Sequence, residues 1–164
     1  MYNLNKFIDR QIAHIRRVQD NMILLEKNRH LLPFKIPQFD LLRRGLKHDL
    51  SKFSKNSINA YIIAGEYYYN INRNLPTDHL NMEYVKTIKN RHYIKEKHHP
   101  HNKIKMSNLD ICEMCCDLSA IAWEFNEKNY TKYYLEKHIK DFPILEKYND
   151  NILFILKLLE KLNS

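Results

Sequence analysis

Apolar residues recur three, four or seven positions apart along almost the whole chain. Leu4, Ile8, Ile15, Val18, Met22 and Leu25 predict a long amphipathic first helix. Pro33 and Pro37 close it, because proline lacks an amide donor and restricts the residue before it. A short helix follows around Leu41 to Lys47, and another runs from Lys55 towards Tyr69 with Ile58, Ile62 and Ile63 inward. Asn70 to Pro76 reads as a polar loop. Thr77-Asp78 then offers an N-cap for a helix that carries Leu80, Tyr84, Val85 and Ile88, reaches the histidines near His98 and ends at Pro100. Ser107 is placed to cap the next helix, with Asp110 in the capping-box position and Ile111, Met114, Cys115, Leu118, Ile121, Ala122 and Phe125 behind it. Tyr130 to Ile139 and Tyr148 to Leu162 keep the same period. The expectation is an all-α protein, one compact helical bundle of about six to eight helices over residues 1–164.

Composition narrows this further. Gly45 and Gly65 are the only glycines among 164 residues, which argues against a β-sandwich, a dinucleotide-binding turn or a phosphate-binding glycine loop. With 44% hydrophobic and 28% charged residues, the chain has the apolar content to build a core. The formal net charge of +8 favours anionic partners without choosing among nucleic acid, a phosphorylated small molecule and an acidic protein. Cys112, Cys115 and Cys116 crowd one predicted helix, which fits a reducing compartment better than a disulfide framework. No stretch approaches the ~20 apolar residues needed to span a bilayer, so no membrane and a cytoplasmic location are expected; the oligomeric state is left open.

Candidate chemistry gathers at four places. His48-Asp49-Leu-Ser-Lys52 places an imidazole beside a carboxylate, and consecutive helix residues point about 100° apart, so both reach one cation only where the chain turns. An exposed helix end is the plain alternative for such a pair. His92, His98, His99 and His101 lie within ten positions, and His92 and His99, seven apart, share a helix face. A solvated basic helix end accounts for one or two of these histidines, and four favour metal or phosphate binding. Asp117 sits midway along an apolar helix, where a carboxylate is costly to bury without a counter-charge or a metal. Glu113, Glu124 and Glu127 look better suited to face water. His14 repeats the Asp117 argument with an imidazole in the first helix. A cysteine zinc site is disfavoured, because helix period puts Cys115 among core residues. A separate row of Lys86, Lys89, Arg91, Lys95 and Lys97, with Tyr84 and Tyr93, suggests a nucleic-acid-binding alternative.

In order, His14, His48-Asp49 with Lys52, the His92–His101 cluster and Asp117 resemble the pattern of the HD-domain superfamily of metal-dependent phosphohydrolases. More closely, the chain is similar to a small HD-like family found in bacteria and large DNA viruses (the DUF5662 type). The similarity rests on His14-Ile-Arg-Arg-Val18, His48-Asp-Leu-Ser-Lys-Phe53, His98-His99-Pro100 and Glu113-Met-Cys-Cys-Asp117, and covers about residues 10–125. Two positions depart from the family's pattern: Lys97 stands before the paired histidines and His101 after the proline, where the family has an asparagine and an acid.

The resemblance implies a bundle of the HD-domain type. His14, His48, Asp49 and Asp117 would hold a first divalent metal (Mn, Fe, Co, Ni, Zn or Mg), with His92, His98, His99 and His101 candidates for a second. Lys52, Asp49 and His92 would take catalytic roles, and Lys52, His98 and His99 would bind substrate. The activity implied is hydrolysis of a nucleotide or other small phosphate ester. A catalytically silent module that sequesters a nucleotide or second messenger is the alternative within the same frame.

Overall fold

In the computed structural model, which describes residues 2–102 and 104–164, seven α-helices and several 3-10 turns account for the regular structure, with no strand among the described residues. The helices are α1 (Leu4–Lys27), α2 (Asp40–Gly45), α3 (Lys55–Ile71), α4 (Met82–Lys95), α5 (Asn108–Glu124), α6 (Tyr130–Lys137) and α7 (Asn149–Leu162).

The centre is α5. Residues 110–120 are buried without interruption, the pattern of a helix enclosed on all sides. Its start is fixed by a full capping box: Ser107 Oγ accepts from the Asp110 amide, and Asp110 accepts from the Ser107 amide at 2.9 Å. Around α5 pack α1, α2 and α7. Val18, Met22 and Leu25 of α1, Ile111, Met114 and Leu118 of α5, and Ile152, Ile155, Leu156 and Leu159 of α7 form one apolar core with Tyr134 and Leu145. Gly45 marks where α2 crosses α1, since a Cβ there would come within 3.2 Å of Met22 Cβ.

The α3–α4 pair forms a second layer that packs on α1. Its buried apolar residues, Ala60, Ala64, Val85 and Ile88, stand outside the main core. Here the isoleucines expected to point inward are only half-buried, and the small alanines, which permit close helix approach, take the interior positions. The start of α4 also differs from the sequence reading. Thr77 to Leu80 make a turn, and Asn81 is the cap, its side chain accepting from the Tyr84 amide at 2.9 Å. The helix ends at Lys95, three residues before His98.

The fold thus has a dry core on one side of α5 and a thin apolar layer beyond α1, with the buried polar side chains between. Leu156, with no exposed surface, anchors the dry side. Leu156→Ala is expected to lower stability by about 2–5 kcal/mol, read as a reduced denaturation midpoint in chemical unfolding.

Candidate metal centre

Nine titratable or amide side chains are buried along this seam: Gln11 and His14 from α1, His48 and Asp49 after α2, His92 from α4, His98 after it, and Asp110, Glu113 and Asp117 from α5, with the half-buried Lys52 close by. The chain achieves the His48-Asp49 juxtaposition by a reversal. After Gly45 the backbone leaves α2, Asp49 adopts a left-handed conformation (φ 57°), and a 3-10 turn over Leu50–Phe53 follows. Aspartate tolerates that region better than most residues. Neighbouring side chains that would diverge on a helix therefore point to one place. Ser54 then caps α3 through the Ser57 amide.

At the centre, His14 Nε2 lies 3.0 Å from Asp117 Oδ1 and 3.6 Å from Asp49 Oδ2. His48 Nε2 lies 3.5 Å from Asp49 Oδ2 and 3.8 Å from Asp117 Oδ1. On the other side of Asp49, Oδ1 is 3.2 Å from His92 Nε2, which is itself 3.0 Å from His99 Nε2. His98 Nε2 reaches to 3.9 Å from Asp117 Oδ2. Three triads bring their ligand atoms within 4.8 Å of one another: His14, His48 and Asp49; His48, His98 and Glu113; Asp49, His98 and His99. The two oxygens of Asp49 thus face different sets of imidazoles.

The outer nitrogens are fixed as well. His14 Nδ1 meets Glu124 Oε1 at 2.8 Å, and His48 Nδ1 meets Glu113 Oε1 at 3.0 Å. His98 Nδ1 lies 3.3 Å from the same Glu113 oxygen, and His92 Nδ1 meets Ser51 Oγ at 2.9 Å. The Nδ1 partners of His14, His48 and His92 orient those rings so that Nε2 faces inward, the disposition metal-ligating histidines adopt. Glu113 is anchored by Arg44, whose Nη1 donates to Oε2 at 2.9 Å and lies equally close to Asp110. Meanwhile His14 Nε2, His48 Nε2, both ring nitrogens of His98 and Asp49 Oδ1 are buried without a well-formed hydrogen bond. Such atoms are rare in proteins because desolvation is costly. Inward-facing imidazole and carboxylate atoms left in this state fit a divalent cation of the first transition row, and suit magnesium less well.

Electrostatics point the same way. Burial by itself would raise the Asp49 and Asp117 carboxyls, yet both are held well below the usual range, Asp49 by Lys52 and the His48 and His92 imidazoles, Asp117 by His14 and His48. Burial likewise opposes ionisation of Glu113, but His48 and His98 bring it down to about 2. His14 is held up at about 9, burial being outweighed by Asp117 and Glu124. His99 is pushed down to about 2 by burial and by His98, which keeps its ring neutral. Lys52 is held above its ordinary range, with burial opposed by Asp49, which its ammonium touches.

Every site residue named from the sequence lies in this seam except one. His101 follows Pro100 on a 3-10 turn that carries it outward, and its ring stacks on Tyr93 (4.2 Å between centroids) and meets Phe142 edge-on. It joins none of the triads. His92 and His99 do meet, though not as residues of one helix: the chain leaves α4 and folds back through a turn in which the His99 amide donates to Glu96 O. Sequence reasoning misplaced Glu113 and Glu124, which turn inward instead of facing water. Helix spacing contained the signal, since Glu113 is one turn before Asp117 and Glu124 two turns after it. The three cysteines are buried free thiols, raised by their surroundings, and join no metal-ligating group among the described residues.

A cavity of about 760 Å³ opens onto the cluster, with His14, Lys52, His99 and Asp117 in its wall. Arg10 and Glu124 line it from α1 and α5, and Tyr61, Tyr68, Lys89 and Tyr93 from α3 and α4. Lys89 and Tyr93 therefore leave the basic row read from the sequence, whereas Lys86, Arg91, Lys95 and Lys97 stay on the surface. No described helix is long and apolar enough to cross a membrane.

Glu113 supports two imidazoles at once. Glu113→Gln removes the charge that orients both, and is expected to weaken divalent-cation affinity about 10- to 100-fold in a metal titration while the far-ultraviolet circular dichroism stays helical.

No curated protein and no solved structure matches the chain. A family model does, over residues 3–159, extending the motif-bearing region through α6 and most of α7. The chain belongs to that family, described as a family of unknown function (DUF5662).

Proposed function

We propose that the protein is a metal-dependent phosphohydrolase of the HD-domain type, acting on a nucleotide or another small phosphate ester. The observation that carries this reading is the convergence of His14, His48, Asp49 and Asp117, distant in sequence, on one buried point beside a cavity with a lysine in its wall. Those four residues would hold a divalent cation, and His92, His98 and His99 would hold a second. A cation bound there supplies acidity to coordinated water near neutral pH and screens phosphoryl oxygens.

The chain's own residues do the rest. Glu113, Glu124 and Ser51 keep the imidazoles oriented, so that no reorganisation is needed as the site fills. Lys52 brings a permanent positive charge to the ester oxygens as the P–O bond breaks. Where no second cation is held, His92 and His99, whose Nε2 atoms lie 3.0 Å apart, would instead hold a phosphate oxygen or pass a proton to the leaving group. Tyr61 and Tyr68 give the cavity wall apolar faces for the organic part of the ester.

One observation favours the silent binding module. The Lys52 ammonium rests directly on Asp49 Oδ2, where it neutralises that carboxylate without a metal. Elemental analysis and a panel of nucleotides and phosphate esters, with and without chelator, separate the two. Hydrolysis predicts a stoichiometric divalent cation and chelator-sensitive phosphate release. His48→Ala and Asp49→Ala should lose both, and Lys52→Ala should keep the cation while losing roughly 100- to 1,000-fold in turnover. Phosphate release unchanged in His48→Ala would sink the hydrolase reading, and tight nucleotide binding without product would favour the module.

A further inference from the structure

Among the described residues, one cation in the cavity wall forms no ion pair. Lys52 rests on Asp49 and Arg10 is paired with Glu124 at 3.0 Å, but no described carboxylate forms an ion pair with Lys89. Its side chain is half-buried, and its ammonium lies over two aromatic faces, 5.8 Å from the centre of Tyr61 and 6.0 Å from that of Tyr68. Ring faces return part of the hydration lost on burial, and they hold the stem in place without neutralising the charge. The same Tyr61 ring has the Lys52 ammonium 5.4 Å from its centre. Two ammonium groups thus flank one tyrosine, one tied to the carboxylate cluster and the other unmatched. Burial first, and then repulsion from Lys52 and Arg10, lower the Lys89 pKa. A second anion on the ligand supplies the counter-charge that offsets both.

We infer that Lys89 selects ligands that carry a second anionic group next to the one held at the histidine–carboxylate cluster, that is, diphosphate or bisphosphate compounds over monophosphates. The inference rests on the phosphate-ester reading above for what occupies the cluster. Residue type supports it: a lysine offers a point charge with rotatable donors, suited to a phosphate whose orientation is set elsewhere. Position supports it as well, because Lys86, one turn earlier on α4, is exposed and reaches Glu83 at 3.9 Å, and so belongs to the surface.

The test compares orthophosphate with methylenediphosphonate, which is not hydrolysed, by calorimetric titration into protein saturated with manganese. Chelation in solution is common to all variants and cancels between them. The wild-type protein should bind the diphosphonate about 10- to 100-fold more tightly, the effect of one charge-assisted contact. In Lys89→Ala the ratio should fall to near one at an unchanged thermal unfolding midpoint, Lys89→Arg should retain most of it, and Lys86→Ala should keep all of it. A Lys89→Ala protein with the wild-type ratio, or a wild-type protein with no preference, overturns the inference. The two readings fail separately. Lys89-dependent preference in a protein that releases no phosphate retires the hydrolase alone, whereas His48-dependent phosphate release with an unchanged ratio in Lys89→Ala retires the Lys89 assignment alone.

Discussion

The structure depends on keeping three carboxylates ionised away from water. Asp49, Asp117 and Glu113 are almost wholly enclosed, and a buried carboxylate is stable only where positive charge or strong donors surround it. The protein supplies Lys52 to Asp49, imidazoles to all three, and Arg44 to Glu113, so that each acid faces at least two cationic or hydrogen-bonding groups. Placing those groups requires α1, α2, α4 and α5 to meet along one seam. The helical packing and the polar cluster are therefore one problem: displacing any of these helices leaves a buried charge without its partner.

The division of labour between inner and outer imidazole nitrogens follows from that constraint. The Nδ1 atoms of His14, His48 and His92 find partners at the periphery in Glu124, Glu113 and Ser51, which hold the rings in place. Nε2 atoms are left facing one another and the aspartates, where only a proton or a cation satisfies them. Rigidity of this kind favours a ligand that enters a ready-made site over one that reshapes it. The left-handed Asp49 is part of the same arrangement, a small backbone cost accepted where it lets consecutive residues serve one centre.

The cavity above the cluster is where charge and aromatic surface mix. α3 and α4, packed against each other with the small buried Ala60 and Ala64 on α3, bring Tyr61, Tyr68 and Lys89 to face α1 and the end of α5. This thin layer has a poorer apolar core than the α1–α5–α7 side, so the protein joins a stiff scaffold to a more lightly packed wall over its polar centre.

Much of this was legible in the sequence. Helix period and proline placement gave an all-α chain, Ser107 marked a helix start, and the motif residues His14, His48-Asp49, His92, His98-His99 and Asp117 announced themselves by being polar where the pattern was apolar or crowded. Local interactions decide those features, and local interactions are written in neighbouring residues. What surrounds a side chain is set by contacts between distant segments. That is why Glu113 and Glu124 read as solvent-facing, why His101 read as equal to its neighbours, and why Lys89 read as one more surface charge. The sequence by itself determined that the chain is helical and which histidines and aspartates were candidates for one site. Only the tertiary structure decided which acids turn inward, which histidine is left out, and which lysine has no ion pair among the described residues, because burial and charge pairing are properties of the packed molecule and not of the chain.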